Sequence, residues 1–189
     1  MQNLHDVDWS KIPAPVDDGA ATHLVGRTIP NLLLANTAGS KTNLSKLTGR
    51  TVIYAYPMTG RPDKALPEGW DKIPGARGCT PQSCAFRDHA TELEASGVQH
   101  LFGLSTQSTE YQREAASRLH LPFALLSDKQ LRLSEALNLP TLEVDGQTLL
   151  KRLTLVVDDG VITHTFYPVF PPDQSADVVL DWIKQSEKK

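Results

Sequence analysis

Residues 51–88 read TVIYAYPMTGRPDKALPEGWDKIPGARGCTPQSCAFRD, and three patterns follow one another along them. The first six, TVIYAY, are β-branched or aromatic on both faces, as in a strand buried in the middle of a sheet. A Gly/Pro-rich loop then runs over residues 57–78; a loop that long in a compact domain is usually functional or folded on itself. Thr80-Pro81 opens a helix, threonine suiting the N-cap and proline the first helical position. Phe86, Ala90 and Leu93 recur at i, i+4 and i+7, and Gly97 marks the stop.

Outward from this unit the strand and helix patterns alternate. Residues 98–106 read as a strand, 108–120 as a helix with Tyr111, Ala115 and Leu119 on one face, 123–127 as a short strand and 129–138 as a helix. Residues 153–157 and 161–166 flank Asp159-Gly160, a strong hairpin signal. Near the end, DQSADVVLDWIKQ (173–185) places Val178, Val179, Trp182 and Ile183 on one side of a closing helix. Upstream, IPNLLLANTAGSKTNLSKL (29–47) reads as short strands around Ala38-Gly39-Ser40. Residues 1–20, with Pro13, Pro15, Asp17, Asp18 and Gly19, read as a loosely tied, flexible extension. This order predicts an α/β, thioredoxin-like fold: a mixed central β-sheet flanked by helices, with an amino-terminal β-hairpin extension, in one domain over residues 21–189.

With 189 residues, 40% of them hydrophobic and 22% charged, the chain has the length and composition of one well-buried globular domain. A net charge of −3 with scattered Lys and Arg offers no electrostatic grip on nucleic acid. No apolar run approaches the ~20 residues of a membrane helix. The start, MQNLHDVDWSKIPAPVDDG, lacks the basic and apolar stretches of a signal peptide. The expectation is a cytoplasmic protein with no membrane or nucleic-acid partner. In that reducing compartment, two cysteines close in sequence point to catalysis or metal binding rather than to a permanent staple.

The segment from Gly78 to Asp88 carries both. Cys79 sits at the mouth of a helix, where unpaired N–H groups and the positive end of the macrodipole favour a thiolate over a thiol. A helix end alone seldom suffices, so a cation is expected nearby; Arg77 and Arg152 are the candidates. Arg152, on a strand between apolar residues, needs an anionic partner if buried, either the sulfur or a structural carboxylate. Blander readings stand beside these: Cys84 as a small core residue inside a helix, Arg87 and Asp88 as a solvated face or local ion pair, Trp70 as packing for the long loop. A metal held by Cys79, Cys84 and His89 lacks both C-x₂-C spacing and a fourth ligand. The histidines at 5, 23, 89, 100, 120 and 164 show no pairing pattern, and no cofactor is expected.

The chain resembles the peroxiredoxins of the AhpC/TSA superfamily, in particular the atypical 2-Cys PrxQ, or bacterioferritin-comigratory-protein, branch. Cys79-Thr80-Pro81-Gln82-Ser83-Cys84 is similar to that branch's C-T-x-x-x-C, and Phe86-Arg87-Asp88 trails it as in the family. Tyr54-Ala55-Tyr56-Pro57, Gly103-Leu104-Ser105-Thr106 and Leu125-Leu126-Ser127-Asp128 look like the family's strand ends, and Gly26 to Leu47 like its opening hairpins. Arg152, beginning Arg-Leu-Thr-Leu-Val-Val-Asp, resembles the arginine that faces the reactive sulfur. One departure stands out. The family motif P-x-x-x-T/S-x-x-C puts a hydroxyl three residues before the cysteine, and here that position is Ala76. Pro57 and Thr59 are present, but about 20 residues intervene, which reads as an insertion that folding can close.

The resemblance implies a thiol-dependent peroxidase acting on hydrogen peroxide and organic hydroperoxides. Cys79 would be the peroxidatic sulfur, Cys84 the resolving one, and Arg152 the group stabilising thiolate and peroxide. Thr59 and Pro57 would lie at the peroxide; Arg77 as a second positive group is an inference from this chain. A disulfide between Cys79 and Cys84 would be reduced by thioredoxin or a similar dithiol, in a monomer or homodimer. Residues five apart in a helix lie ~7.5 Å apart along the axis and ~140° apart around it, whereas bridged Cα atoms lie within ~6.8 Å. The first turns of the Cys79 helix must therefore unwind on oxidation. Two other functions remain open: a thioredoxin-like protein-disulfide oxidoreductase, which usually uses C-x-x-C, and a non-catalytic binding module on the same fold.

Overall fold

The computed structural model describes residues 7–188. In chain order the strands and helices are β1 (Leu34–Asn36), β2 (Lys41–Thr42), β3 (Arg50–Ala55), α1 (Cys79–Asp88), α2 (Ala90–Ala95), β4 (Val98–Ser105) and α3 (Thr109–Arg118). There follow β5 (Leu125–Ser127), α4 (Arg132–Leu137), β6 (Thr141–Val144), β7 (Gln147–Leu150), β8 (Leu153–Asp158), β9 (Val161–Phe166) and α5 (Ser175–Ser186). Seven strands form one sheet in the order β2-β1-β5-β4-β3-β8-β9. β3, β4 and β5 run parallel, and β1, β8 and β9 join antiparallel. This is the thioredoxin-like α/β arrangement expected, with the β1–β2 hairpin added at one edge.

β3 shows why the sequence reads as it does. Successive side chains point to opposite faces, so Ile53 and Ala55 enter one apolar cluster with Leu104, Leu126, Leu133 and Leu155. Val52, Tyr54 and Tyr56 enter the other, with Phe86, Leu93, Val179 and Ile183 from α1, α2 and α5. Both faces are buried, and each fully buried aliphatic or aromatic side chain contributes about 1.5–3 kcal/mol. The Tyr54 ring stacks on Phe86 with centroids 4.4 Å apart, and this sets the distance of α1 from the sheet. Gly103 makes room for that ring: a Cβ there would fall 2.8 Å from Tyr54 Cζ and 2.5 Å from Leu125 Cδ2.

The structure corrects four details. Gly78, not Thr80, is the N-cap of α1, so Pro81 occupies the third helical position rather than the first. The helix expected to continue to Gly97 breaks at His89, whose φ of −102° and ψ of 4° leave the helical region. There the His89 ring nitrogens meet Ala85 O at 3.0 Å and Asp177 Oδ1 at 2.8 Å, tying the break to α5. The helix read over residues 129–138 is only Arg132–Leu137, because Leu131 turns left-handed (φ 59°) and the buried Asp128 carboxylate accepts from the N–H groups of Leu133 and Ser134. Residues 141–150, given no structure above, form the β6–β7 hairpin around Asp145-Gly146, outside the main sheet.

That hairpin has its own apolar partner. Trp70, Ala76, Val144 and Leu149 form a third cluster, joined by Met58, Ile73 and Leu142, so the insertion folds against β6 and β7. From residue 7 the amino-terminal segment is also docked: Trp9 Nε1 donates to Asp173 Oδ2 at 2.9 Å and its ring meets Phe170 edge-on. Asp18 accepts from Lys151 Nζ at 2.8 Å and Tyr167 Oη at 2.7 Å. Residues 1–6 of the expected extension lie outside the described residues. Among the described residues no helix is long and apolar enough to cross a membrane.

Candidate active site

Cys79 is the first residue of α1 and is 3% exposed. The turn that delivers it is set by Gly78, whose φ of 109° suits glycine alone. A side chain there would also collide, with Pro172 Cγ at 2.5 Å and Trp9 Cη2 at 2.7 Å from the Cβ position. No side chain caps the helix start. Its first-turn N–H groups and the positive end of its dipole are left to the sulfur's surroundings.

Arg152, between β7 and β8, reaches the same point from the sheet. It is 3% exposed, and its Nη2 stands 3.2 Å from Cys79 Sγ. The same nitrogen donates to the carbonyls of Ala76 at 3.1 Å, Arg77 at 3.2 Å and Gly75 at 3.3 Å. Nη1 donates to Gln82 Oε1. Every one of these partners other than the sulfur is a neutral oxygen acceptor. A buried guanidinium surrounded by neutral acceptors stabilises an anion placed against it. Arg suits the position because it keeps its proton and holds a rigid fork.

Cys84 lies five residues along the same unbroken helix, buried and unbridged. Burial pushes its thiol above the ordinary range; Arg87 opposes the shift and Asp88 adds to it.

A family model described as Redoxin matches residues 24–180. Peroxiredoxin Bcp of Escherichia coli K12 is 32% identical over 165 residues, 85% of this chain and 95% of the relative. The chloroplastic peroxiredoxin Q of Sedum lineare is 32% identical over 157 residues, 82% of this chain and 75% of the relative. Peroxidoxin BcpB of Mycobacterium tuberculosis superposes with a TM-score of 0.69 at 25% identity, covering 86% of this chain and 97% of its own. This chain belongs to the Redoxin family, as a PrxQ/Bcp-type peroxiredoxin. It is a thiol peroxidase.

In this peroxiredoxin the other expected site residues fall differently around the sulfur. Arg77 borders the cavity beside Cys79, and its Nη1 is paired with Asp71 Oδ2 at 2.7 Å. Thr59 is fully buried, and its hydroxyl donates to Gln107 Oε1 at 3.2 Å. Its neighbours Met58 and Gly60 line that cavity, while Thr59 and Pro57 do not. At Ala76 the backbone carbonyl takes part instead of a hydroxyl: its oxygen lies 3.6 Å from Cys79 Sγ and also accepts from Arg152. His89 is engaged with Asp177. Among the described residues no group of three or more His, Cys, Asp and Glu side chains is arranged to hold a metal.

Gln82 is the site residue that the sequence reading missed. It is fully buried one turn beyond Cys79, accepting from Arg152 and donating through Nε2 to Ser175 Oγ at 3.2 Å. The signal was available: i+3 spacing puts Gln82 on the same helix face as Cys79. The peroxiredoxin's cavity at the sulfur is about 70 Å³ and mostly apolar, walled by Met58, Leu66, Trp70 and Pro81.

Proposed function

We propose that this peroxiredoxin reduces hydrogen peroxide and organic hydroperoxides with Cys79 as the attacking sulfur and Cys84 as the resolving one. The observation that carries this reading is the 3.2 Å approach of Arg152 Nη2 to Cys79 Sγ at an uncapped helix start. The Cys79 thiolate attacks the terminal peroxide oxygen and the O–O bond breaks. The sulfur leaves as sulfenic acid, and the departing oxygen takes a proton to become water or an alcohol. Negative charge builds on that oxygen, and Arg152 with the first-turn N–H groups of α1 is placed to meet it.

Cys84 then condenses with the sulfenic acid, forming the disulfide and releasing water. Because both cysteines sit in one intact helix, the start of α1 must open for the sulfurs to meet. A dithiol protein of the thioredoxin kind reduces the disulfide by thiol exchange, becoming oxidised itself. This cycle belongs in a reducing compartment such as the cytoplasm, with the protein as monomer or homodimer.

The test is a peroxide-consumption assay with mass spectrometry after one equivalent of peroxide. Cys79→Ser should abolish turnover. Cys84→Ser should keep one turnover and accumulate sulfenic acid at Cys79. Arg152→Met should slow Cys79 oxidation by about 10²–10³-fold, with Arg152→Lys recovering part of it. Full turnover by Cys79→Ser would overturn the assignment. Insulin reduction without peroxide consumption would favour a disulfide oxidoreductase instead.

A further inference from the structure

Two of the four residues between Cys79 and Cys84 are polar and wholly buried, Gln82 and Ser83. Each accepts from a donor on the sheet side. Gln82 Oε1 accepts from Arg152, as described above. Ser83 Oγ accepts at 3.1 Å from Tyr54 Oη, a β3 hydroxyl whose residue is also wholly buried. Burial pushes the Tyr54 phenol well above its ordinary range, so its proton stays in place to be donated. The other neighbours of the ring supply no replacement for Ser83. Phe86 stacks on it at 4.4 Å and Phe123 meets it edge-on at 5.9 Å. On the β4 side the Cβ position of Gly103 falls 2.9 Å from the hydroxyl. None of these three residues has an acceptor side chain.

A bond between Cys79 and Cys84 cannot form while residues 80–83 stay helical. Forming it therefore takes Ser83 away from Tyr54, and a buried hydroxyl stripped of its acceptor is costly. That cost falls on the disulfide form alone, because the dithiol form keeps the contact. We propose that Tyr54 is a positioning residue of the redox cycle: acting through Ser83, it favours the helical dithiol and makes the Cys79–Cys84 disulfide a stronger oxidant. This rests on the reading of Cys84 as the resolving sulfur. Thiol exchange passes two electrons and two protons from a dithiol donor to the disulfide, and the donor ends as a disulfide itself.

The test equilibrates the full-length protein with mixtures of reduced and oxidised dithiothreitol and counts the Cys79 and Cys84 thiols by alkylation and mass spectrometry. Tyr54→Phe keeps the ring and removes the donor. It should move the equilibrium about tenfold toward the disulfide, a potential about 30 mV more negative. In a Ser83→Ala background the same substitution should move it less than about twofold, since its partner is already gone. Equal shifts in both backgrounds, no shift in either, or a shift toward the dithiol would overturn the proposal. Tyr167→Phe, which removes a hydroxyl bonded to Asp18, should leave the equilibrium unchanged; a matching shift there would overturn it too. If peroxide yields the disulfide but Tyr54→Phe leaves its potential alone, Tyr54 loses this role and Cys84 keeps its own. If peroxide yields no Cys79–Cys84 disulfide in the wild type, both fall.

Discussion

Gln82 holds Arg152 in place: its side-chain oxygen accepts from Arg152 Nη1, while its nitrogen donates to Ser175 at the start of α5. One buried amide thus ties the guanidinium facing the sulfur to two helices at once. Gln82→Leu removes the acceptor and leaves a buried, charged N–H without a partner, an omission that costs about 1–3 kcal/mol. The expected result is a roughly 10- to 100-fold slower oxidation of Cys79, from the same energy. Gln82→Glu, which keeps an acceptor, should recover part of it. Stopped-flow rates for the two variants decide; equal losses in both would assign Gln82 a packing role only.

Disulfide formation should depend on pH through Cys84. Burial is the main cause that pushes its thiol up, so while α1 is intact Cys84 is held protonated at neutral pH. Attack on the sulfenic acid needs the thiolate. The rate of the resolving step should therefore climb as pH rises and continue climbing above the ordinary thiol range. Stopped-flow measurement of that step after a peroxide pulse, across pH 6 to about 10, checks this. A flat profile would show that opening of the helix alone sets the rate.

Gly78→Ala should damage the site without touching a reactive group. The added methyl would meet Pro172 and Trp9 at 2.5–2.7 Å in a backbone conformation with φ 109°. Overpacking of this kind costs about 1–3 kcal/mol. Urea titration should show that loss, and altered tryptophan fluorescence should show Trp9 displaced. Unchanged stability and fluorescence would mean that the amino-terminal segment does not dock there in solution.

Trp70→Ala removes the largest side chain of the cluster between the insertion and the β6–β7 hairpin. Such a deletion costs about 3–5 kcal/mol. Because that cluster lies apart from the two on the sheet faces, the loss should be local. Limited trypsin digestion should cut after Lys64 and Lys72 before the core unfolds. Resistance equal to wild type would place the anchor elsewhere.

The two hairpins show where a sequence stops being informative. Asp159-Gly160 and Asp145-Gly146 have the same chemistry and the same pair of positive φ angles. The first lies between long β-branched runs that pack into the main sheet, and it is legible. The second joins four-residue strands whose apolar side chains bury against the insertion, so its stability comes from a segment some seventy residues earlier in the chain. Periodicity carries no record of such a partner. The break at His89 was hidden for a similar reason: its contact with Asp177 lies on another helix.

By itself the sequence determined the layering, because alternation in β3 and the apolar stripes of the helices are local properties of the chain. It also put Cys79 at the mouth of a helix and Cys84 inside it. Only the tertiary structure decided which cation meets the sulfur. Arg77 is two residues from Cys79 yet is paired with Asp71, whereas Arg152, far along the chain, is held against the sulfur by Gln82 and three carbonyls. Burial makes that choice: charges and hydrogen bonds act over a few ångströms of space, and separation along the chain does not enter.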